Sequence, residues 1–222
     1  MSKFTTFFLR AAVAATAMAT LASAPAGATI VGGSVVTGGP VAVFVKLSVP
    51  LGNPFGAPNS VGNDTFQSPN LFGFDEDQNI TLGAALAVDV VASGSSPLAA
   101  GTTVASHYVF FDPTNGEVDG FVDFDAEVLA IVTSTGLLIG SDFLANTGVN
   151  YLSPAARGLE QGDSVTISGP NQIHFHTFAS TPGDYVRVLT AFSPGALPEP
   201  ASTVLVGLAL AGAALARRRR GI

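Results

Sequence analysis

The stretch TTVASHYVFFDPTNGEVDGFVDFDAEVLAIVTS, residues 102–134, decides the fold class. It contains three runs rich in Val, Ile and Phe, which are TTVASHYVFF, EVDGFVDFD and AEVLAIVTS. These residue types favour β-strands. The first two runs are separated by DPTNG, whose residues favour a turn. The stretch therefore predicts consecutive β-strands.

The same pattern extends in both directions. Further short β-type runs are VAVFVKLSV, NITLGAALAVDVVA, DSVTIS, NQIHFHTFA and DYVRVLTAF. Residues 50–70, rich in Gly, Pro and Asn, have no period and predict a long loop. SDFLAN, residues 141–146, opens with a possible N-cap and predicts about one helical turn. Short strands at this spacing predict an all-β fold, an antiparallel β-sandwich body over residues 29–192.

The charge of the body excludes one class of partner. Between Thr29 and Leu197, three basic residues face fifteen acidic ones, which leaves a formal charge near −12. Such a surface repels phosphate backbones, so we expect no nucleic-acid binding.

The first 28 residues predict a signal peptide. Lys3 and Arg10 precede the uncharged run AAVAATAMATLASA, and Ala26 and Ala28 occupy both specificity positions of a signal peptidase site. We expect cleavage after Ala28, which makes Thr29 the new N-terminus. Cleavage after Ala24 is disfavoured because Pro25 would follow the cut. The chain has no cysteine, so its stability outside the cytoplasm cannot depend on disulfides.

The C-terminal residues predict a membrane segment. Residues 201–216 carry no charge and would span about 24 Å as a helix, against a hydrocarbon core of roughly 30 Å. Four arginines follow and would stay on the cytoplasmic side of the inner membrane. They are Arg217, Arg218, Arg219 and Arg220. We therefore assign residues 201–222 to a short transmembrane helix with its basic tail, and residues 193–200 to a linker.

The linker ends in Pro198, Glu199 and Pro200, and the prolines favour extended backbone that a protease can bind. With the apolar helix and the terminal arginines, these residues resemble the PEP-CTERM sorting signal of Gram-negative bacteria. The resemblance implies recognition by an exosortase and delivery of the body to the cell surface or an exopolysaccharide matrix. A plain C-terminal anchor that is never cut is the alternative. Residues 106–113, 141–171 and 183–192 also resemble other PEP-CTERM proteins, a group with no assigned activity.

The sharpest candidate metal ligands are His174 and His176. On a strand they project to the same face, where His107 or a carboxylate would be the third ligand of a zinc-type ion. The alternative is a solvated face with Ile173 and Phe175 turned into the core. We expect no metal at these histidines.

Acidic residues in the interval 112–127 are candidates for calcium, with Asp112 and Asp119 among them. The alternative is a turn at residues 112–116, followed by a strand whose acidic residues lie on its solvent-exposed face. DEDQN, residues 75–79, lacks the glycine and the terminal glutamate of an EF-hand loop.

Catalysis has little support in the sequence, and we expect no enzyme. There is no cysteine nucleophile. GDSV, residues 162–165, resembles the nucleophile block of one esterase class, but that block belongs near the start of an α/β domain with a His-containing motif near its end, and this chain has neither. Tryptophan is absent and there are only three tyrosines, which disfavours an aromatic sugar-binding platform. A non-enzymatic surface or matrix protein is therefore the leading interpretation. A calcium- or carbohydrate-binding module and a secreted hydrolase with paired carboxylates remain alternatives.

Overall fold

The computed structural model describes residues 28–37, 41–47 and 59–192. The predicted sorting motif, the membrane segment, its arginines and all of the signal peptide except Ala28 lie outside these residues. Within them, no helix is long and apolar enough to cross a membrane. Residues Gly27–Ala196 form one compact unit.

The described residues are mostly β-strand, which confirms the all-β prediction at this level. They form thirteen strands, one short α-helix and two 3-10 turns. The strands are β1 (Ile30–Thr37), β2 (Phe44–Lys46), β3 (Ser60–Val61), β4 (Leu71–Asp75), β5 (Ile80–Thr81), β6 (Val90–Val91), β7 (Thr103–Phe111), β8 (Gly116–Phe124), β9 (Val128–Val132), β10 (Asn150–Tyr151), β11 (Ser164–Gly169), β12 (Gln172–Ala179) and β13 (Asp184–Ala191). The helix is α1 (Thr135–Gly140), and the 3-10 turns are Asp142–Leu144 and Pro154–Ala156.

Two larger sheets and one small one organise these strands. A four-stranded sheet has the order β1-β8-β12-β11. A seven-stranded sheet has the order β2-β4-β7-β13-β9-β6, with β5 also paired to β7. β10 and β3 form the two-stranded sheet.

The predicted antiparallel pairing is confirmed for most strands and wrong for two pairs. β2 runs parallel to β4, and β10 runs parallel to β3. Parallel neighbours need a long connection, and the chain between β2 and β4 supplies one in residues 47–70. The other pairings of the two larger sheets are antiparallel.

The stretch quoted at the outset forms three strands, as predicted, but they do not lie side by side. β7 and β9 both belong to the seven-stranded sheet, whereas β8 belongs to the four-stranded sheet. The turn at residues 112–115 therefore carries the chain from one sheet to the other. In the seven-stranded sheet, β13 lies between β7 and β9.

Several local predictions need correction. VAVFVKLSV is a strand only at β2, and NITLGAALAVDVVA splits into β5 and β6. The turn predicted at SDFLAN is present as the 3-10 turn Asp142–Leu144, with Ser141 at its N-cap position. The Ser141 side chain does not cap it, because its hydroxyl donates to the Leu138 carbonyl of α1 at 3.0 Å. The pattern did not predict β1, where Gly32 and Gly33 interrupt the apolar run.

Two hydrophobic clusters explain how the sheets are covered. One is shared by both larger sheets and includes Val109 and Phe111 of β7 together with Val122, Ile173 and Phe175 of the four-stranded sheet. The other lies on the opposite face of the seven-stranded sheet, where loops and α1 cover it. It includes Phe72, Phe74, Tyr108, Phe110, Tyr185, Leu138 and Leu144. The seven-stranded sheet is thus buried on both faces.

Candidate functional site

His174 and His176 lie on β12, with their side chains on the outer face of the four-stranded sheet. Their neighbours Ile173 and Phe175 are fully buried, as expected from the alternation of side chains along a strand. The adjacent strand β8 supplies Asp119 to the same outer face, next to His174.

Each histidine on this surface faces its own carboxylate. His174 Nε2 lies 2.8 Å from Asp119 Oδ1, and His176 Nε2 lies 3.1 Å from Glu117 Oε1. The His174 ring stacks on Phe121, with centroids 4.7 Å apart. We call Glu117, Asp119, His174 and His176 the histidine face. Its side chains are between 30% and 51% exposed, so both pairs are in contact with water.

The third histidine is on the other sheet, so the suggestion that His107 completes a metal site is wrong. His107 is buried on β7, with Nδ1 2.9 Å from Asp75 Oδ1 and Nε2 2.9 Å from Thr190 Oγ1. In the part of the chain that the structure describes, no three His, Asp or Glu residues gather in a group that could hold a metal ion.

The two predicted calcium ligands are also apart. Asp119 belongs to the histidine face, whereas Asp112 is buried at the end of β7, where its Oδ2 accepts the Phe66 amide at 3.0 Å. Burial raises the pKa of Asp112, with a further contribution from the charge of Asp64. The acidic interval thus supplies two separate environments rather than one loop of ligands.

The most highly connected polar group in the body was not predicted from the sequence. Arg187 of β13 is completely buried and forms a two-point contact with Glu76, from Nε to Oε2 at 2.6 Å and from Nη2 to Oε1 at 2.9 Å. Its Nη1 donates to Ser141 Oγ at 2.7 Å and to the Leu138 carbonyl at 3.1 Å. Charge-assisted bonds of this geometry are the strong ones in proteins.

Glu76 is also fully engaged. Besides Arg187, it accepts the Ser106 hydroxyl at 2.6 Å and the Tyr151 hydroxyl at 2.6 Å. We call Glu76, Ser106, Ser141, Tyr151 and Arg187 the arginine cluster. Burial alone would lower the pKa of Arg187, but the charge of Glu76 and the hydrogen bonds to it outweigh burial and raise it.

A second arginine extends the arginine cluster to the surface. Arg157 donates to both carboxylate oxygens of Asp142, at 2.9 and 2.7 Å, and Asp142 Oδ1 also lies 3.3 Å from Arg187 Nη2. The cluster thus connects the sheet to α1 and the two 3-10 turns. A signal for it existed in the sequence, since Arg187 is the only basic residue in the apolar run DYVRVLTAF and lies in its interior.

Another perturbed carboxyl group lies at the start of β13. Burial, followed by the nearby charge of Asp163, raises the pKa of Asp184 to about 7. Its side chain is inaccessible to solvent, and its Oδ2 has no hydrogen-bond partner. Unlike Glu76, this carboxyl group has no arginine beside it in the described contacts.

One open cavity of about 320 Å³ adjoins the histidine face. It is lined by Thr37, Pro69, Phe111, Pro113, Asn115, Gly116 and Glu117. Of these, Glu117 alone is ionisable and belongs to the histidine face. The arginine cluster and Asp184 do not line this cavity.

No family model matches the chain, and neither the curated proteins nor the solved structures include a match.

Proposed function

We propose that this chain is an exported, non-enzymatic bacterial protein of the cell surface or extracellular matrix, sorted through its C-terminal PEP-CTERM signal. Its body would be a β-sandwich, its leader would be removed by signal peptidase, and an exosortase would process the tail at the inner membrane. The mature body would then associate with exopolysaccharide.

The observation that carries this proposal is the three-part tail. Pro198–Glu199–Pro200, the uncharged residues 201–216 and Arg217–Arg220 follow one another at the C-terminus. The leader at the other end supplies the matching route of export. β13 ends at Ala191, so only a short linker separates the last strand from the sorting motif.

The body supports a binding or structural role more than a catalytic one. Its buried carboxylate Glu76 accepts four hydrogen bonds from Arg187, Ser106 and Tyr151, which commits it to holding the fold together. The partly exposed carboxylates of the histidine face contact histidines on the outer face of the four-stranded sheet. The net negative charge keeps the body soluble and would let divalent cations bridge it to an anionic polymer.

The experiment is intact mass spectrometry of the full chain recovered from cells and from the medium, with Glu199→Gln as the variant. We expect wild type to begin at Thr29 and to end near Pro198–Pro200. The E199Q chain should accumulate in the membrane with Arg217–Arg220 retained, because the processing enzyme would lose its recognition residue.

The matched control is Glu160→Gln, which makes the same chemical change at an exposed position of the body. E160Q should be processed like wild type. Normal release of E199Q would contradict the sorting proposal and would favour an anchored or independently released protein.

A calcium-binding module is the second candidate function, and one observation favours it. Asp64 Oδ1 and Asp112 Oδ1 are both buried without a hydrogen-bond partner, and carboxylate oxygens are the ligands that Ca²⁺ prefers. A calcium isotherm that saturates at one ion per chain would distinguish specific binding from loose association with the acidic surface.

A further inference from the structure

The backbone of Thr29, just before β1, is held by a carboxylate. The Thr29 amide donates to Asp125 Oδ1 at 2.7 Å, and the Asp125 amide donates back to the Thr29 carbonyl at 3.1 Å. Asp125 lies in the connection between β8 and β9, so this reciprocal contact fixes the start of β1 beside its partner strand β8.

A second carboxylate approaches from the other sheet. Asp75 Oδ2 accepts the Thr29 hydroxyl at 2.6 Å, and Asp75 Oδ1 accepts the Ile30 amide at 2.9 Å. Lys46 Nζ lies 2.8 Å from Asp75 Oδ2 and also contacts the Thr29 hydroxyl. We call Thr29, Lys46, Asp75 and Asp125 the Thr29 clasp.

The two carboxylates of the Thr29 clasp are unequally paired, since Lys46 and His107 both contact Asp75. Among the described residues, no cationic side chain contacts Asp125. Two carboxylates, Asp75 and Asp125, face one ammonium group, that of Lys46, in a body whose net charge is strongly negative. His107 contacts Asp75 from β7, where its other ring nitrogen contacts Thr190. One additional positive charge at the Thr29 nitrogen would compensate the second carboxylate.

The geometry points to Asp125 as the binding partner of the new chain terminus. Removal of the leader converts the Thr29 amide into an α-ammonium, which forms an ion pair with the Asp125 carboxylate. This inference rests on the proposed export. Signal peptidase adds water across the Ala28–Thr29 bond, so that Ala28 leaves with a carboxyl group. Thr29 keeps an amine, which takes up a proton from the solvent.

The packing of Ala28 indicates that cleavage comes before folding of this part of the body. Ala28 is buried beside Ala105 and Ala126 in the uncut chain, so the bond before Thr29 lies against the folded body. A protease needs the backbone on both sides of the bond to be free, whereas here Ala28 is packed and the Thr29 amide is bonded to Asp125. Cleavage therefore precedes the pairing of β1 with β8, and the ammonium is captured as the body folds.

The capture has a defined pH dependence. An α-amino group has an ordinary pKa of about 8, and an adjacent carboxylate raises that pKa in the folded chain. The stabilisation by this ion pair is therefore fully present at pH 7 and is lost as the pH rises through the pKa of the α-amino group in the folded chain. Asp75 and Asp125 favour the ammonium, whereas Lys46 opposes it. His107, which also contacts Asp75, is kept in every variant, so its contribution is the same on both sides of the comparison.

The experiment uses the full chain, exported by a bacterial host and recovered after processing. In one variant, Gly-Ser is inserted between Ala28 and Thr29, which moves the terminal ammonium away from Asp125 while retaining the amide contact. We expect the melting temperature at pH 7 to fall by about 2–4 °C, the size of a single modest interaction in a body of this length. The difference should disappear by about pH 10.

Asp125→Asn tests the partner. D125N should lower the melting temperature, and adding the insertion to D125N should lower it little further, because both changes remove the same ion pair. Asp89→Asn is the matched control. Asp89 is another exposed aspartate whose carboxylate accepts backbone amides, those of Thr133 and Ser134. The change in melting temperature caused by D89N should add to that caused by the insertion.

Intact mass separates the outcomes. A body that begins at Thr29, with non-additive effects of the insertion and D125N, supports the ion pair. A body that begins elsewhere overturns it while export stands, as does an insertion that has no effect at pH 7. A chain that keeps residues 1–28 overturns both this inference and the proposed export.

Discussion

The histidine face and the arginine cluster both pair carboxylates with nitrogen-bearing side chains, but in opposite surroundings. On the histidine face, two imidazoles meet two carboxylates on a surface in contact with water. In the arginine cluster, Arg187 and Glu76 meet with no solvent access, and hydroxyl groups complete their hydrogen bonds. Water screens the contacts of the histidine face, so these contacts contribute little to the stability of the fold. The arginine cluster must stay intact, because an unpaired buried charge is costly.

The largest expected effect comes from breaking the buried pair. Arg187→Met should lower the free energy of unfolding by about 3–5 kcal/mol, because it leaves Glu76 buried without its cation. Urea unfolding followed by far-UV circular dichroism measures the change.

The double variant Glu76→Leu with Arg187→Met provides the control. It removes both charges, so it should be more stable than R187M despite carrying one more substitution. If R187M lowers the free energy of unfolding by less than about 1 kcal/mol, the contrast between the buried and the exposed groups fails.

Asp184 sharpens the comparison, because it is a buried carboxyl group without an arginine. Its folded pKa of about 7 lies above the ordinary 3.8, so the folded chain holds a proton that the unfolded chain releases. The free energy of unfolding should therefore decrease as the pH rises from about 4 to 7. Asp184→Asn stays neutral and should stabilise the body by about 1–3 kcal/mol at pH 8, with no gain at pH 4.

Thermal unfolding at pH 4, 6 and 8 measures this difference. Asp89→Asn is the control, since Asp89 is exposed and accepts hydrogen bonds as a carboxylate. D89N should not stabilise the body at any of these pH values. A D184N variant that is less stable than wild type at pH 8 would contradict the prediction, because it would show that the Asp184 carboxylate does not destabilise the folded chain.

The smallest effects belong to the histidine face. His174→Gln and His176→Gln should each change the free energy of unfolding by less than about 1 kcal/mol, because partly exposed polar contacts of this kind contribute little. A double-mutant cycle of H174Q with Asp119→Asn measures the coupling directly. Coupling above about 2 kcal/mol would break the comparison and would indicate that this surface is organised for more than solubility.

The alternation of residues predicted that His174 and His176 share a face, because the period of a strand fixes which side chains lie on the same side. It did not predict their contacts with Asp119 and Glu117 on the neighbouring strand. It could not predict which face of a strand meets which layer. In β7, both Tyr108 and Val109 are buried, since one face packs on the other sheet and the opposite face packs under loops and α1. The arginine cluster was missed for the same reason: Glu76 and Arg187 are 111 residues apart in the chain.

By itself, the sequence determined the β-rich character of the body, its acidic charge and the position of its strongest strands, because these depend on local composition and on a period of two residues. The sorting signal likewise remains a sequence-level prediction, since its residues act as a linear motif. The tertiary structure alone decided that β7 and β8 separate into different sheets, that β2 and β4 run parallel, and that Arg187 meets Glu76. Those outcomes depend on contacts between distant segments, which compete for the same buried space and which no local pattern encodes.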